Sequence, residues 1–119
     1  MDYETLQMTM LFDFFGDLLT EKQREYFELY HNEDLSLSEI AESAGISRQG
    51  VYDNIARAEK ALQELEHKTG VVQRWLNMRA ELDQAEATAR EMLDLAGDKS
   101  ELADLAQKLV LTLQRLRNG

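Results

Sequence analysis

The apolar residues near the start of the chain recur every three or four positions, as they do along one face of an α-helix. Six residues share this spacing: Leu6, Met10, Leu11, Phe14, Phe15 and Leu18. Methionine and phenylalanine side chains in such a stripe usually fill a protein core rather than a ligand pocket. The pattern therefore predicts a strongly apolar first helix that packs against the rest of the protein and ends by Leu19.

Two capping boxes and a glycine predict where the next two helices begin and end. In a capping box, a hydroxyl group and the side chain three residues later satisfy backbone amides at the start of a helix. Thr20 with Gln23 and Ser36 with Glu39 have this spacing. Gly45 suits the left-handed backbone conformation that ends a helix. We expect a second helix that stops near residue 32 and a short third helix that stops before Gly45.

Residues 37–62 have the pattern of a helix-turn-helix, in which two helices are joined by a turn that contains a glycine. Ser47 is predicted to cap the later helix, which begins at Arg48 and runs to about His67. Ala41 is small enough to let the two helices cross closely. The predicted core-facing residues of the later helix are Ile46, Val51, Ile55, Ala58 and Leu62. A helix held in this way can lay its N-terminal end in the major groove of DNA.

Eight residues at this helix are candidates for contact with DNA: Ser47, Arg48, Gln49, Gly50, Tyr52, Asp53, Arg57 and Lys60. Arg48 can reach a phosphate or a guanine edge, Gln49 can read adenine through two hydrogen bonds, and Tyr52 can touch a thymine methyl group. Asp53 opposes binding, because a carboxylate repels phosphate unless it accepts a hydrogen bond from cytosine. All are also ordinary exposed helix residues, and Arg48 has Glu42 and Asp53 as alternative partners, so the pattern leaves contact and solvation open.

From Val71 onwards the apolar positions alternate in steps of four and three, which is the heptad pattern of packed helices. The positions are Val71, Trp75, Met78, Leu82, Ala85, Ala89, Met92 and Ala96. Gly97 ends this helix, and Asp98 with Glu101 is predicted to cap a last one. The apolar stripe of the last helix is Leu102, Leu105, Leu109, Leu113 and Leu116, widened by Ala106 and Val110. Two such helices joined by a short turn make an antiparallel hairpin.

The apolar surface of this hairpin exceeds what the preceding 70 residues need for their own core. We therefore expect residues 1–70 to form the helix-turn-helix domain and residues 71–119 to form a hairpin that joins two copies in a homodimer. Packing of the hairpin on its own head, or docking of a different protein, are the alternatives. Trp75 lies near the start of the seam and can anchor either interface.

The composition favours a fully helical fold. The chain has no proline and only six glycines among its 119 residues. These are the two residues that most often interrupt helices, whereas the frequent alanine, leucine, glutamate and glutamine are good helix formers. We therefore predict an all-α protein, a helix-turn-helix bundle followed by a C-terminal helical hairpin.

Missing residues and motifs weigh against several function classes. There is no cysteine, and His31 and His67 stand 36 positions apart without a zinc-binding pattern, so we expect no metal site and no cofactor. The sequence has no glycine-rich phosphate loop, nucleophile motif or catalytic triad, so we expect no enzymatic activity. Residues 1–4 lack the positive charge of a signal peptide, and the apolar stretch 6–19 is too short to span a bilayer. We expect a cytoplasmic protein that does not insert into membranes.

The net charge of −10 is distributed unevenly. Residues 1–20 carry four acids and no base, whereas residues 47–68 carry four acids and four bases. The predicted recognition helix is therefore neutral within an acidic protein. Because the overall charge repels DNA at long range, we expect a modest affinity unless a dimer supplies a second half-site.

Part of the chain resembles region 4 of bacterial sigma factors, where the same pattern forms the helix-turn-helix that reads promoter DNA. The matching positions are residues 19–25, 35–41, 45–47 and 57–62, together with Val51 and Ile55. The chain is more similar still to the YlxM family of small helix-turn-helix proteins. That similarity rests on residues 11–16, 18–20 and 47–53 and on the long helical tail.

The resemblance to the YlxM family implies a DNA-binding regulatory protein. It also implies a gene neighbourhood shared with components of the signal recognition particle, and a regulatory role in that pathway with one of those components as a possible partner. Two alternatives stay open, because the same scaffold also serves other purposes. One is a protein-docking module that engages a transcription, translation or secretion component. The other is an RNA binder, which the lack of exposed aromatic residues at base-stacking spacing disfavours.

Overall fold

The computed structural model describes residues 3–98 and 100–119, and every regular element within these ranges is helical. The α-helices are α1 Tyr3–Phe15, α2 Glu21–Phe27, α3 Leu37–Ala44, α4 Arg48–Thr69, α5 Val71–Ala96 and α6 Ser100–Asn118. A 3-10 turn, Gly16–Leu18, follows α1, and a π-helical turn, Glu28–Asn32, continues α2. The all-α fold predicted from the sequence is therefore confirmed. Met1, Asp2 and Lys99 lie outside the described residues.

The predicted helix caps are present at α2, α3 and α4. The Thr20 hydroxyl accepts from the backbone amide of Gln23 at 3.2 Å, and the Gln23 side chain accepts from the Thr20 amide at 3.2 Å. Ser36 and Glu39 form the same reciprocal pair at 3.1 and 3.3 Å. Gly45 ends α3 with a φ of 71°, a conformation that costs glycine little because it lacks a Cβ. The polar residues between the apolar stripes therefore set where these helices begin and end.

Two clusters of buried side chains hold the first compact unit, Met1–Val72, together. The first cluster joins α1, α2, α4 and the first turn of α5, and consists of Leu11, Phe12, Phe15, Phe27, Ala58, Leu62 and Val72. At its centre Phe27 is fully buried and stacks on Phe12, with 4.7 Å between ring centroids. The second cluster joins α2, α3 and α4, and consists of Tyr26, Ile40, Ala41, Val51 and Ile55. Both clusters use α4, which is thereby fixed in rotation along its length.

Ile46 departs from the sequence prediction, because its side chain is 39% exposed instead of facing the core. It lies before the cap Ser47, in the turn between α3 and α4, so the helical spacing that buries Val51 does not extend to it. Its backbone amide donates to the Ala41 carbonyl at 3.2 Å, which completes the end of α3. The prediction that Ile46 belongs to the apolar face of the recognition helix is wrong for this reason.

The second compact unit, Gln73–Gly119, is an antiparallel pair of helices formed by most of α5 and all of α6. Gly97 turns the chain with a φ of 55°. The helix predicted to start after Asp98 begins at Ser100, and the residue between them is outside the described ranges. Within this unit the residues that are buried or half-buried on the facing sides include Leu82, Glu86, Ala89, Leu93 and Ala96 on α5, and Ala103, Ala106, Val110, Leu113 and Arg117 on α6.

The heptad seam predicted for α5 is therefore partly wrong. Three of its positions, Met78, Ala85 and Met92, are exposed, and the helix is turned so that Glu86 takes an inner position. The predicted leucine stripe of α6 also lies mainly outward: Leu102, Leu105, Leu109 and Leu116 are exposed. The helices meet through alanines together with Leu82, Leu93, Val110 and Leu113, whereas most leucines of α6 stay on the outside.

A cluster of hydrogen bonds on Glu86 accounts for this rotation. The Glu86 carboxylate accepts from Arg90 of its own helix at 3.0 Å and from the side-chain amide of Gln114 on α6 at 3.0 Å. Arg117 of α6 forms an ion pair with the second oxygen of Glu86 and another with Asp83 at 3.4 Å. A carboxylate at an inner position is tolerated only when its oxygens are paired in this way. The polar contacts therefore fix which faces of α5 and α6 meet.

The stability of the hairpin is expected to fall in acid because of Glu86. The hydrogen bond from Arg90 is the largest cause that lowers the pKa of Glu86 below its ordinary value of 4.5; Gln114 and the charge of Arg117 act in the same direction, and burial opposes them. A lowered folded-state pKa means that the unfolded chain takes up the proton more readily. The stabilisation is therefore complete above the ordinary pKa and is lost as the pH falls through the folded one.

Thermal unfolding followed by circular dichroism between pH 7 and pH 3 will measure this effect. Glu86→Gln should lose less stability than the natural chain over that range, because it has no proton to take up at this position. Glu91→Gln is the matched control, since Glu91 is an exposed carboxylate on the same helix, and it should keep the natural pH profile. Identical pH profiles for Glu86→Gln and the natural chain would contradict the assignment.

Candidate nucleic-acid interface

The start of α4 is built by a side-chain cap. The Ser47 hydroxyl accepts a hydrogen bond from the backbone amide of Gly50 at 3.0 Å. The side chain of this candidate residue therefore caps the N-terminus of α4. A Cβ on Gly50 would stand 3.2 Å from that hydroxyl oxygen and 3.5 Å from the Ile46 side chain. The small residue at this position therefore lets the turn pack closely on the first turn of the helix.

The first two turns of α4 have one buried face and one exposed face. Val51 is fully buried and Ile55 nearly so, which anchors the helix against α2 and α3. Arg48, Gln49 and Tyr52 face solvent, and Tyr52 is 54% exposed. These positions agree with the prediction that the N-terminal end of α4 presents one side to solvent. The exposed residues can be reached by another molecule without unfolding of the domain.

Gln49 and Asp53 are joined one helical turn apart. The side-chain amide nitrogen of Gln49 donates to Asp53 Oδ1 at 2.9 Å. Asp53 is thus paired with Gln49 rather than with Arg48, the alternative that the sequence had left open. Asn54, which the sequence analysis did not single out, donates from its side chain to the Gly50 carbonyl at 2.9 Å and strengthens the same turn.

A groove between α3 and α4 lies beside these residues. It has a volume of about 530 Å³ and is lined by Leu37 of α3 and by Arg48, Gln49 and Tyr52 of α4; we call it the α3–α4 groove. Leu37 is half-buried, so it contributes both to the core and to this surface. The sequence pattern does not single out Leu37 for this surface, because a groove between two helices exists only once α3 and α4 are both in place.

Further along α4, Arg57 and Lys60 are exposed. Within residues 3–98 and 100–119, no acidic side chain forms an ion pair with Arg48, Arg57 or Lys60. Three positive groups on one helix are thus available to phosphate oxygens, which accept from Arg and Lys in most protein–DNA interfaces. Asp53 is the acidic residue among them, and its pairing with Gln49 leaves its charge in place.

His31 joins the π-helical turn to α4 further along the helix, through Glu59. Its ring nitrogen lies 2.8 Å from Glu59 Oε1, and its ring centroid is 4.3 Å from that of Phe27. The pair borders a cavity of about 350 Å³ whose other lining residues come from α1 and α4. Among the residues the structure describes, no group of three or more His, Cys, Asp or Glu side chains is placed to hold a metal ion.

This protein contains a helix-turn-helix: α3 and α4 have capped starts, Gly45 in the turn between them is left-handed, and α4 is anchored in the core. A family model described as "UPF0122: Putative helix-turn-helix protein, YlxM / p13 like" matches residues 3–101. The chain belongs to this family. The resemblance inferred from residues 11–16, 18–20 and 47–53 is thereby confirmed.

Curated relatives share much of the sequence. A UPF0122 protein of Thermoanaerobacter sp. (strain X514) is 53% identical over 83 residues, which cover 70% of this chain and 71% of the relative. A UPF0122 protein of Halalkalibacterium halodurans is 44% identical over 106 residues, or 89% and 94% of the two chains. One of Listeria innocua is 43% identical over 93 residues, or 76% and 84%. In the part of the chain that the structure describes, no helix has the length and apolarity needed to cross a membrane.

Proposed function

We propose that this protein binds double-stranded DNA through α4 and acts as a regulator, not as an enzyme. The observation that carries the proposal is the division of the first turns of α4: Val51 and Ile55 anchor the helix, while Arg48, Gln49 and Tyr52 face outward. This is the arrangement in which a helix-turn-helix places its second helix in the major groove. A chromosomal target also implies that the protein works in the cytoplasm of a bacterial cell.

The charge distribution supports modest affinity for a single copy. The chain carries a net charge of −10, and within residues 47–68 the four bases are balanced by four acids. Long-range attraction to DNA is therefore absent, and binding depends on the few contacts made at close range. Neutralisation of about four to six phosphates gives a slope of log K against log salt near −4 to −5.

A homodimer formed by residues 71–119 would supply the second set of contacts. The exposed leucines of α6 and the exposed Met78 and Met92 of α5 present apolar side chains to solvent, and isolated proteins rarely leave such stripes uncovered. The leucines follow each other in steps of three and four along α6, as the helices of a bundle require. A dimer with two-fold symmetry would bind two half-sites about 34–36 Å apart.

The proposed physiological context is the signal recognition particle pathway. Its support is the likeness to the YlxM family described from the sequence, and no contact within the chain adds to it. Crosslinking of the tagged protein across the genome and transcriptome will test this context. Enrichment at promoters of genes for particle components is the expected result; occupancy confined to unrelated sites would contradict it.

Binding to random-sequence duplex DNA at several salt concentrations will test the proposed function itself. Arg48→Ala is expected to weaken binding roughly 5- to 150-fold, the range for losing a good side-chain contact to a base. Arg57→Ala should weaken binding more evenly across sequences and reduce the salt slope by about one. Lys108→Ala is the matched control, because it removes an exposed positive charge from α6, and it should bind as the natural chain does.

The same titration separates the alternatives. No duplex binding even at about 50 mM salt, with the helical content intact, would contradict DNA binding and favour a protein-docking module. Tighter binding to RNA hairpins than to duplex DNA, unaffected by Arg48→Ala, would favour the RNA-binding alternative.

A further inference from the structure

The hydrogen bond between Gln49 and Asp53 limits what Gln49 can offer to a partner. The amide nitrogen of glutamine carries two hydrogens, and one of them is directed at Asp53 Oδ1 at 2.9 Å. The second hydrogen and the carbonyl oxygen remain available as a neighbouring donor and acceptor. In the major groove, this pair matches the acceptor N7 and the donor N6 of adenine.

The side chains next to Gln49 add an apolar contact. Leu37 and Tyr52 line the α3–α4 groove together with Gln49 and Arg48. Tyr52 is 54% exposed and Leu37 is half-buried, so both present apolar surface at the mouth of the groove. Among the four base pairs seen from the major groove, the thymine methyl is the one apolar group. An amide that matches adenine, beside an apolar groove, is therefore complementary to the major-groove edge of an A·T pair.

We infer that the first turns of α4 select an A·T base pair, that the α3–α4 groove receives the thymine methyl group, and that Asp53 positions Gln49 without contacting the base. This inference rests on the proposed binding of DNA. It also explains why an acidic residue stands on a surface that approaches phosphates. Asp53 holds the amide of Gln49 in one orientation, and the ordering of that side chain is achieved before DNA arrives.

The base preference can be measured by selecting sites from a random duplex library with the full-length protein. We expect one A·T pair to be enriched at a fixed position in every half-site. On a selected duplex, 7-deazaadenine removes the N7 acceptor and should weaken binding about fivefold or more. Deoxyuridine in place of the paired thymidine removes one methyl group and should weaken binding about threefold to fourfold.

Two substitutions at Asp53 separate positioning from general effects of charge. Asp53→Ala removes the acceptor and should reduce the preference for A·T over G·C, while the affinity for non-selected duplex stays the same or rises. Asp53→Asn keeps an oxygen that can accept from Gln49, so it should retain the A·T preference although it also removes the negative charge. If Asp53 had a purely structural role, Asp53→Ala would change the affinities for selected and for non-selected duplex in parallel. That result would overturn its assignment as a positioning residue.

Leu37→Ala provides the matched test of the groove. This variant should bind the thymidine and the deoxyuridine duplex with equal affinity, and 7-deazaadenine should weaken its binding as much as it weakens binding of the natural chain. Enrichment of a G·C pair at this position would overturn the inference, since Asp53 would then be reading cytosine directly. Duplex binding without any base preference at this position would overturn it as well. A complete lack of duplex binding would instead overturn the proposed function on which the inference rests.

Discussion

Replacement of Leu105 and Leu109 by glutamate is expected to leave the protein monomeric at concentrations at which we propose that the natural chain is a dimer. The two leucines are 60% and 42% exposed, so their outer surfaces are available to a second copy. In a symmetric dimer each change occurs twice, and four apolar side chains are lost from the interface. At roughly 1 kcal/mol or more for each side chain, the dissociation constant rises at least about a thousandfold.

Sedimentation velocity over a range of protein concentrations will measure this change, and circular dichroism will show whether the helices are kept. The matched control is the double substitution Gln107→Glu with Lys108→Gln, which alters the net charge by the same amount at exposed positions beside the leucine stripe. This control should remain dimeric. A natural chain that stays monomeric at high concentration would contradict the proposed dimer, and a dimeric leucine double variant would place the interface elsewhere.

Truncation of Phe27 to alanine is expected to destabilise the helix-turn-helix unit by about 3–5 kcal/mol. Phe27 is fully buried, stacks on Phe12 with a centroid distance of 4.7 Å, and has His31 on another side at 4.3 Å. Its removal leaves a cavity at the point where α1, α2 and α4 meet. Because a small unit has a total stability of only about 5–15 kcal/mol, this loss populates the unfolded state strongly at 37 °C.

Urea unfolding followed by circular dichroism will measure the loss, and hydrogen exchange at the amides of Ala58 and Leu62, which belong to the same cluster as Phe27, will locate it in α4. Phe14→Ala is the matched control, because Phe14 has the same side chain on the same helix as Phe12 but is 39% exposed. We expect Phe14→Ala to cost about 1 kcal/mol. Equal costs for the two substitutions would contradict the central position of Phe27 in the core.

Local signals in the sequence were sufficient to predict the helix ends of the first unit. Thr20 with Gln23 and Ser36 with Glu39 form their capping boxes through side chains only three residues apart, so no distant part of the chain is needed. The left-handed Gly45 is likewise a property of one residue. The exposed front of α4 was also predictable, because the buried positions Val51 and Ile55 fix which side of a helix faces outward.

The candidate site was predictable in its members but not in their contacts. The sequence identified Gln49 and Asp53 separately, and it offered Asp53 both Arg48 and solvent as partners. Only the placed side chains show that Gln49 donates to Asp53. Leu37 was missed as a lining residue, because a groove between two helices depends on the angle at which they cross.

The amino-acid sequence by itself determined that the chain is helical, where its first helices begin and end, and which residues α4 presents to solvent. These properties follow from neighbours within one or two helical turns. Tertiary structure decided which sides of α5 and α6 meet, because apolar residues lie on more than one side of α6: Ala106 and Val110 are buried, whereas Leu105 and Leu109 are exposed. The contacts of Glu86 fix the sides that meet, and its partners Gln114 and Arg117 lie about 30 residues away along the chain. Heptad spacing describes one helix at a time, and only the facing helix supplies the hydrogen bonds that allow a carboxylate inside the seam.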